Sequence, residues 1–79
     1  MTLYEFNILD KNDKYQSTWD LGTYIDTALT KEFRINLYAI NKFFVEVYYH
    51  PKTNKITNIQ SFKHGHSLDK YAGDMPSRV

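Results

Sequence analysis

The chain contains no cysteine in 79 residues. That excludes a disulfide framework and thiolate chemistry together. Glycine is scarce: Gly22, Gly65 and Gly73 lie far apart, so no glycine-rich phosphate loop is present. No G-x-S-x-G occurs, and no serine is placed near a histidine on an ordered element, so nucleophilic catalysis finds no support. Long apolar runs are missing too, and no stretch approaches the ~20 residues of a membrane span. The start "MTLYEFNILDKND" has neither a basic beginning nor a long apolar run, so no secretory leader is read and a cytoplasmic location is expected. Charge of one sign is also lacking. Net charge is +1, with 10 basic and 9 acidic side chains, which is no nucleic-acid footprint.

Aromatic side chains are plentiful: 7 Tyr, 5 Phe and 1 Trp. They can serve as large core payload or as interface anchors. A chain this short buries only about 60–65% of its unfolded surface, so its stability margin is thin. It needs an efficient core, a staple or a partner.

The centre of the chain is the most legible part. In "FRINLYAI", Phe33, Ile35, Leu37 and Ala39 alternate with Arg34, Asn36 and Tyr38, the period of a half-buried strand. "FFVEVYYH" alternates likewise, "HPKTNK" is turn chemistry, and "KITNIQSFK" returns as a β-branched strand. "GTYIDTAL" reads as a further strand. Leu21, Tyr24, Ile25, Ala28 and Leu29 also fit a helical stripe. We prefer helix before Gly22 and strand after it. Asp10 or Asn12 can cap that helix, Tyr15 and Trp19 are i, i+4 neighbours, and Gly22 is placed to end it in a left-handed conformation. The expected fold is α+β: an N-terminal helix packed on a four-stranded antiparallel β-meander, with a short C-terminal helical turn from Ser67. Residues 1–72 form one domain in this reading, and 73–79 a frayed tail.

The pattern W-D-x-G … L-Y … F-F-V-E-V-x-Y … S-F resembles a family of small uncharacterised bacterial proteins. It is carried by Leu3, Tyr4, Phe6, Trp19, Gly22, Leu37, Tyr38, Phe43, Phe44, Val45, Glu46, Val47, Tyr49 and Phe62. The resemblance implies a helix followed by an antiparallel meander. It implies no activity and no catalytic residues.

Strand register follows from keeping apolar residues on one face, because a slip of one residue flips a whole strand. Facing Phe33, Ile35, Leu37 and Ala39 inward with Phe43, Val45, Val47 and Tyr49 requires Ala39 opposite Phe43, around a three-residue loop Ile40-Asn41-Lys42. Leu29 then lies opposite Phe33, Ile25 opposite Leu37, and Val47 opposite Ile59. The outer face acquires three rows: Tyr24, Tyr38, Phe44, Phe62; Asp26, Asn36, Glu46, Gln60; and Ala28, Arg34, Tyr48, Asn58.

These rows supply the candidate sites. The aromatic row is either a second small core or an open patch rimmed by polar groups, of the kind that marks interaction sites. Asp26 and Glu46, about 10 Å apart by backbone, match the spacing of an inverting glycosidase pair only coincidentally, because an open sheet face has no cleft. Arg34 is diagonal to both and is expected to pair with them. His50 lies roughly 26 Å along the sheet from His64, so a three-histidine site is out. His64 and His66 have H-x-H spacing, with Asp69 or Asp74 as further ligands, yet no metal site is favoured and no cofactor is expected.

The leading expectation is a non-enzymatic protein–protein interaction module or homodimer. Its contact surface would be Tyr24, Tyr38, Phe44, Phe62, Arg34, Asp26, Glu46 and Tyr48, and its partner an unknown protein or a second copy. The alternatives are a metal-binding protein or small hydrolase using the His64/His66 loop, and a weak single-stranded nucleic-acid binder. The mixed charge beside the aromatic row argues against the last.

Overall fold

The structure is a computed structural model, and it describes residues 1–63. The elements are α1 (Leu3–Asn7), α2 (Lys11–Leu21), β1 (Thr23–Leu29), β2 (Arg34–Ile40), β3 (Phe43–Tyr49) and β4 (Ile56–Phe62). The strands form one antiparallel sheet in the order β1-β2-β3-β4. The helix-plus-meander reading therefore holds. The expected turn from Ser67 and the tail 73–79 lie outside the described residues. Among the described residues no helix is long and apolar enough to cross a membrane.

The N-terminal layer has two helices where one is expected. The first was available in the sequence as a capping box. Thr2 Oγ1 accepts from the Glu5 amide at 3.1 Å, and the Glu5 carboxylate accepts from the Thr2 amide at 2.8 Å. The second begins as expected, with Asp10 as N-cap accepting from the Asp13 amide at 2.8 Å. Gly22 ends it, but with φ −80° and ψ 146°, which is extended rather than left-handed. Glycine is needed there for space. A Cβ would lie 2.5 Å from the Thr18 carbonyl oxygen and 3.3 Å from Tyr38 Cβ.

The β2–β3 hairpin departs from expectation by one residue. Ile40 pairs with Phe43 across a two-residue turn, Asn41-Lys42, in place of a three-residue loop. Asn41 holds φ 51°, a left-handed conformation that asparagine tolerates, and its side-chain amide donates to the Met1 carbonyl at 2.7 Å. The physical reason is burial. A three-residue loop would leave Ile40 at an exposed tip, whereas the tighter turn buries it beside Phe43. The slip turns β2 over. Arg34, Asn36, Tyr38 and Ile40 now share a face with Phe43, Val45, Val47 and Tyr49.

At the β1–β2 loop, Leu29 pairs with Arg34 rather than Phe33, and the turn is closed by Thr30. The Thr30 hydroxyl accepts from the amides of Glu32 and Phe33, and the Thr30 amide donates to the Phe33 carbonyl at 2.8 Å. A β-bulge at Ile25 then absorbs one residue, so Tyr24 pairs with Tyr38 as expected while Asp26 pairs with Leu37. The β3–β4 pairing matches expectation at Val47–Ile59, Phe44–Phe62, Glu46–Gln60 and Tyr48–Asn58.

Two small cores result. On the helix-covered face, Phe6 packs with Ile40, Phe43, Val45 and Val47, its ring 5.5 Å from that of Phe43. On the opposite face, Ala28, Ile35 and Leu37 form a second cluster, with Phe33, Phe44, Tyr48 and Phe62 packed against it. α1 and α2 both pack against β4, and α2 also against β2.

Candidate interaction surface

The slip of β2 divides the expected aromatic row between the two faces. Phe44 and Phe62 stack at 5.7 Å on the second face, in one row with Thr23 and Ala39. Tyr24 and Tyr38 meet edge-on at 5.9 Å on the helix-covered face, in one row with Val45 and Ser61. The four aromatics are therefore not one surface, because β2 presents Tyr38 on the other side from Phe44.

The acidic row survives in modified form. Asp26, Glu46 and Gln60 share the second face, with Leu37 standing where Asn36 was expected. Its centre is closed to solvent: Leu37 is 0% and Glu46 1% exposed. The Tyr48 hydroxyl donates to Glu46 Oε1 at 3.2 Å, and Asp26 accepts at 2.8 Å from the Thr27 amide. Tyr48 is pushed above its ordinary pKa, first by burial, then by the charge of Glu46 and the hydrogen bond to it.

Arg34 does not join these carboxylates, since its strand is turned over. Its guanidinium carbon sits 4.8 Å from the centre of the Tyr49 ring, a cation–π contact. Arg34 Nε is buried there with no hydrogen-bond partner among the described residues. Tyr49 is raised above its ordinary pKa by burial, then by Tyr38, against opposing pulls from Arg34 and Asn36. Beside it, Tyr24 hydroxyl and Thr27 Oγ1 lie 2.6 Å apart, and Thr27 Oγ1 donates to Asn36 Oδ1 at 2.9 Å. This polar strip fixes the position of Tyr24 on β1.

Tyr38 is also the platform for Trp19, whose ring meets it edge-on at 5.7 Å. Trp19, Tyr38 and Tyr24 thus form a continuous aromatic strip from the end of α2 to β1. Its outer members stay in solvent, and aliphatic side chains extend them: Trp19 is 44% exposed, Leu21 53%, Tyr24 55%, Ile25 36% and Leu29 77%. β1 ends the sheet, and its sequence TYIDTAL contains no Lys, Arg or Pro, the usual guards of an open edge. The other edge differs. The exposed side chains of β4 are Thr57, Asn58 and Gln60, while Ile56, Ile59 and Phe62 are half-buried.

Of the expected surface residues, the structure gathers Tyr24, Tyr38 and Arg34 on one face and Phe44, Phe62, Asp26, Glu46 and Tyr48 on the other. Trp19, Leu21 and Ile25 were missed. One signal for them was present, because the first and last strands of a meander are edges by construction.

The histidines divide as well. His50 caps the β3–β4 turn, its Nδ1 accepting from the amides of Lys52 at 3.2 Å and Thr53 at 3.4 Å. His64, His66, Asp69 and Asp74 lie outside the described residues. Among the described residues no cluster of three or more His, Asp or Glu could hold a metal ion. Comparison with family models, with curated proteins and with solved structures finds no match for this chain.

Proposed function

We propose that this chain is a non-enzymatic protein–protein interaction module that binds along β1. The partner adds an extended segment to the open edge and packs on Trp19, Leu21, Tyr24 and Ile25. One observation carries the reading: an edge strand without Lys, Arg or Pro lies beside a half-exposed aromatic strip. Strand addition draws affinity from backbone hydrogen bonds and specificity from side-chain contacts. Aromatic side chains are the usual anchors of such contacts. The expected surface around Phe44 and Phe62 gives way to this one, because Leu37 and Glu46 at its centre are already buried.

A photo-crosslinking residue at position 24, with position 52 in the β3–β4 turn as control, tests the reading in the cell. The expected result is one discrete adduct from position 24, none from 52, and loss of the adduct on Trp19→Ala. No adduct from position 24, or equal adducts from both, would sink it.

A further inference from the structure

We infer that the chain carries a binding site for a small amphipathic anion, a carboxylate or phosphate monoester on an apolar body, where the N-terminal segment meets the β2–β3 turn. None of its lining residues belongs to β1 or to the aromatic strip, so it does not rest on the interaction reading. A cleft of about 590 Å³ lies there. Small-molecule sites span about 300–1,000 Å³. Its walls come from three segments: residues 1–3, residues 41–43 and Lys63. The structure ties these segments together. Asn41, held at φ 51° in the two-residue turn, donates its side-chain amide to the Met1 carbonyl at 2.7 Å. Thr2 is fixed by its capping box with Glu5. Continuing the β3–β4 register one residue past Phe44–Phe62 sets Lys63 across from Phe43.

The lining combines two chemistries. Met1 and Leu3 are half-buried and Phe43 is buried, and together they give the cleft an apolar part. Lys42 and Lys63 are exposed and bring two ammonium groups to it. No Asp or Glu is among the lining residues, and the Glu5 carboxylate accepts from the Thr2 amide. Two cations at one cleft repel each other, and an anion between them removes that repulsion. The Thr2 hydroxyl accepts from the Glu5 amide and keeps its own proton to donate. A lysine ammonium acts as a point charge and lacks the planar fork that reads the shape of an oxyanion. Charge and an apolar body therefore define the ligand, and carboxylate and phosphate heads both qualify. An uncharged apolar molecule would cover Met1 and Leu3 equally well but leave both ammonium groups unpaired.

The test is a heteronuclear NMR titration of the purified chain with decanoate and, separately, with decyl phosphate. Amides 2, 3, 41–43 and 63 should shift, with half-saturation below about one millimolar. Decanol, a tail without charge, and acetate, a charge without a tail, should each bind at least about ten-fold more weakly. Tighter binding of decyl phosphate assigns a phosphate head, and tighter binding of decanoate a carboxylate. Lys42→Glu combined with Lys63→Glu should weaken binding about ten-fold at low salt, and the difference should shrink at high salt. Both positions are exposed, so the rest of the amide spectrum should hold. Lys42→Gln combined with Lys63→Gln, which removes the charges without reversing them, should give an intermediate affinity. Absence of binding, decanol binding as tightly as decanoate, shifts confined to residues 19–25, or unchanged affinity in the charge-reversed variant would each overturn the site. None of these outcomes alters the crosslink expected at position 24, so the two readings fail separately.

Discussion

Ile40 and Phe43 face each other across the two-residue turn Asn41-Lys42, and both are almost wholly buried. That pair decides the side of the sheet on which every residue of β2 stands. It places Tyr38 under Trp19 and beside Tyr24, and Arg34 on the ring of Tyr49. It also leaves Leu37 beside Glu46 on the opposite face.

Phe6 is the main link between helices and sheet. It is buried against Phe43 in the cluster formed by Ile40, Val45 and Val47. Phe6→Ala should cost about 3–5 kcal/mol, the usual cost of emptying such a site. For a domain this small, that loss approaches the whole stability. Urea denaturation of the two proteins measures it, and a loss below about 1 kcal/mol would mean that α1 contributes little to the core.

Gly22→Ala separates backbone freedom from space. At φ −80° the backbone accepts any residue, so alanine brings no conformational strain and even restricts the unfolded chain. The new methyl would nonetheless sit 2.5 Å from a backbone oxygen, that of Thr18, which accepts the Gly22 amide. A loss of about 1–3 kcal/mol is expected, as for overpacking elsewhere. A more stable alanine variant in thermal melts would refute the close contact.

Removal of the α2 cap by Asp10→Ala should cost about 0.5–2 kcal/mol, while Asn12→Ala should cost much less. Asp10 accepts the Asp13 amide, whereas Asn12 is already inside the helix. Helix content and urea midpoint, compared between the two variants, decide the point.

Tyrosine titration tests both faces of the sheet separately. Tyr48 and Tyr49 are both raised above the ordinary 10.0. A raised acid binds its proton more tightly when folded. Its contribution to stability is therefore complete below the unfolded pKa of about 10 and is lost as pH rises through the folded value. Stability should thus fall in the alkaline range above about pH 10. Glu46→Gln should bring the Tyr48 titration down and leave Tyr49 unmoved, because the Glu46 charge acts on Tyr48. Arg34→Met should raise Tyr49 further and leave Tyr48 unmoved. Resolved by NMR, a shift of both rings in either variant would contradict their placement on opposite faces.

What the sequence alone determined is the order and kind of the main elements. Period-two alternation over 33–50, turn chemistry at "HPKTNK" and a capped segment ending at Gly22 are local signals, and local signals specify local structure. The β3–β4 register was legible too, because pairing Val47 with Ile59 alone kept Asn58 and Gln60 out of the core. Only the tertiary structure decided the facing of β2. Its two sides, Ile35-Leu37-Ala39 and Tyr38-Ile40, are both partly apolar, so alternation cannot choose between them. The choice was made by Phe6, which arrives from α1 and rewards the register that buries Ile40. The bulge at Ile25 has the same origin: β1 must satisfy β2 at both ends, and one surplus residue is turned out to do so. Long-range burial settled what short-range pattern left degenerate.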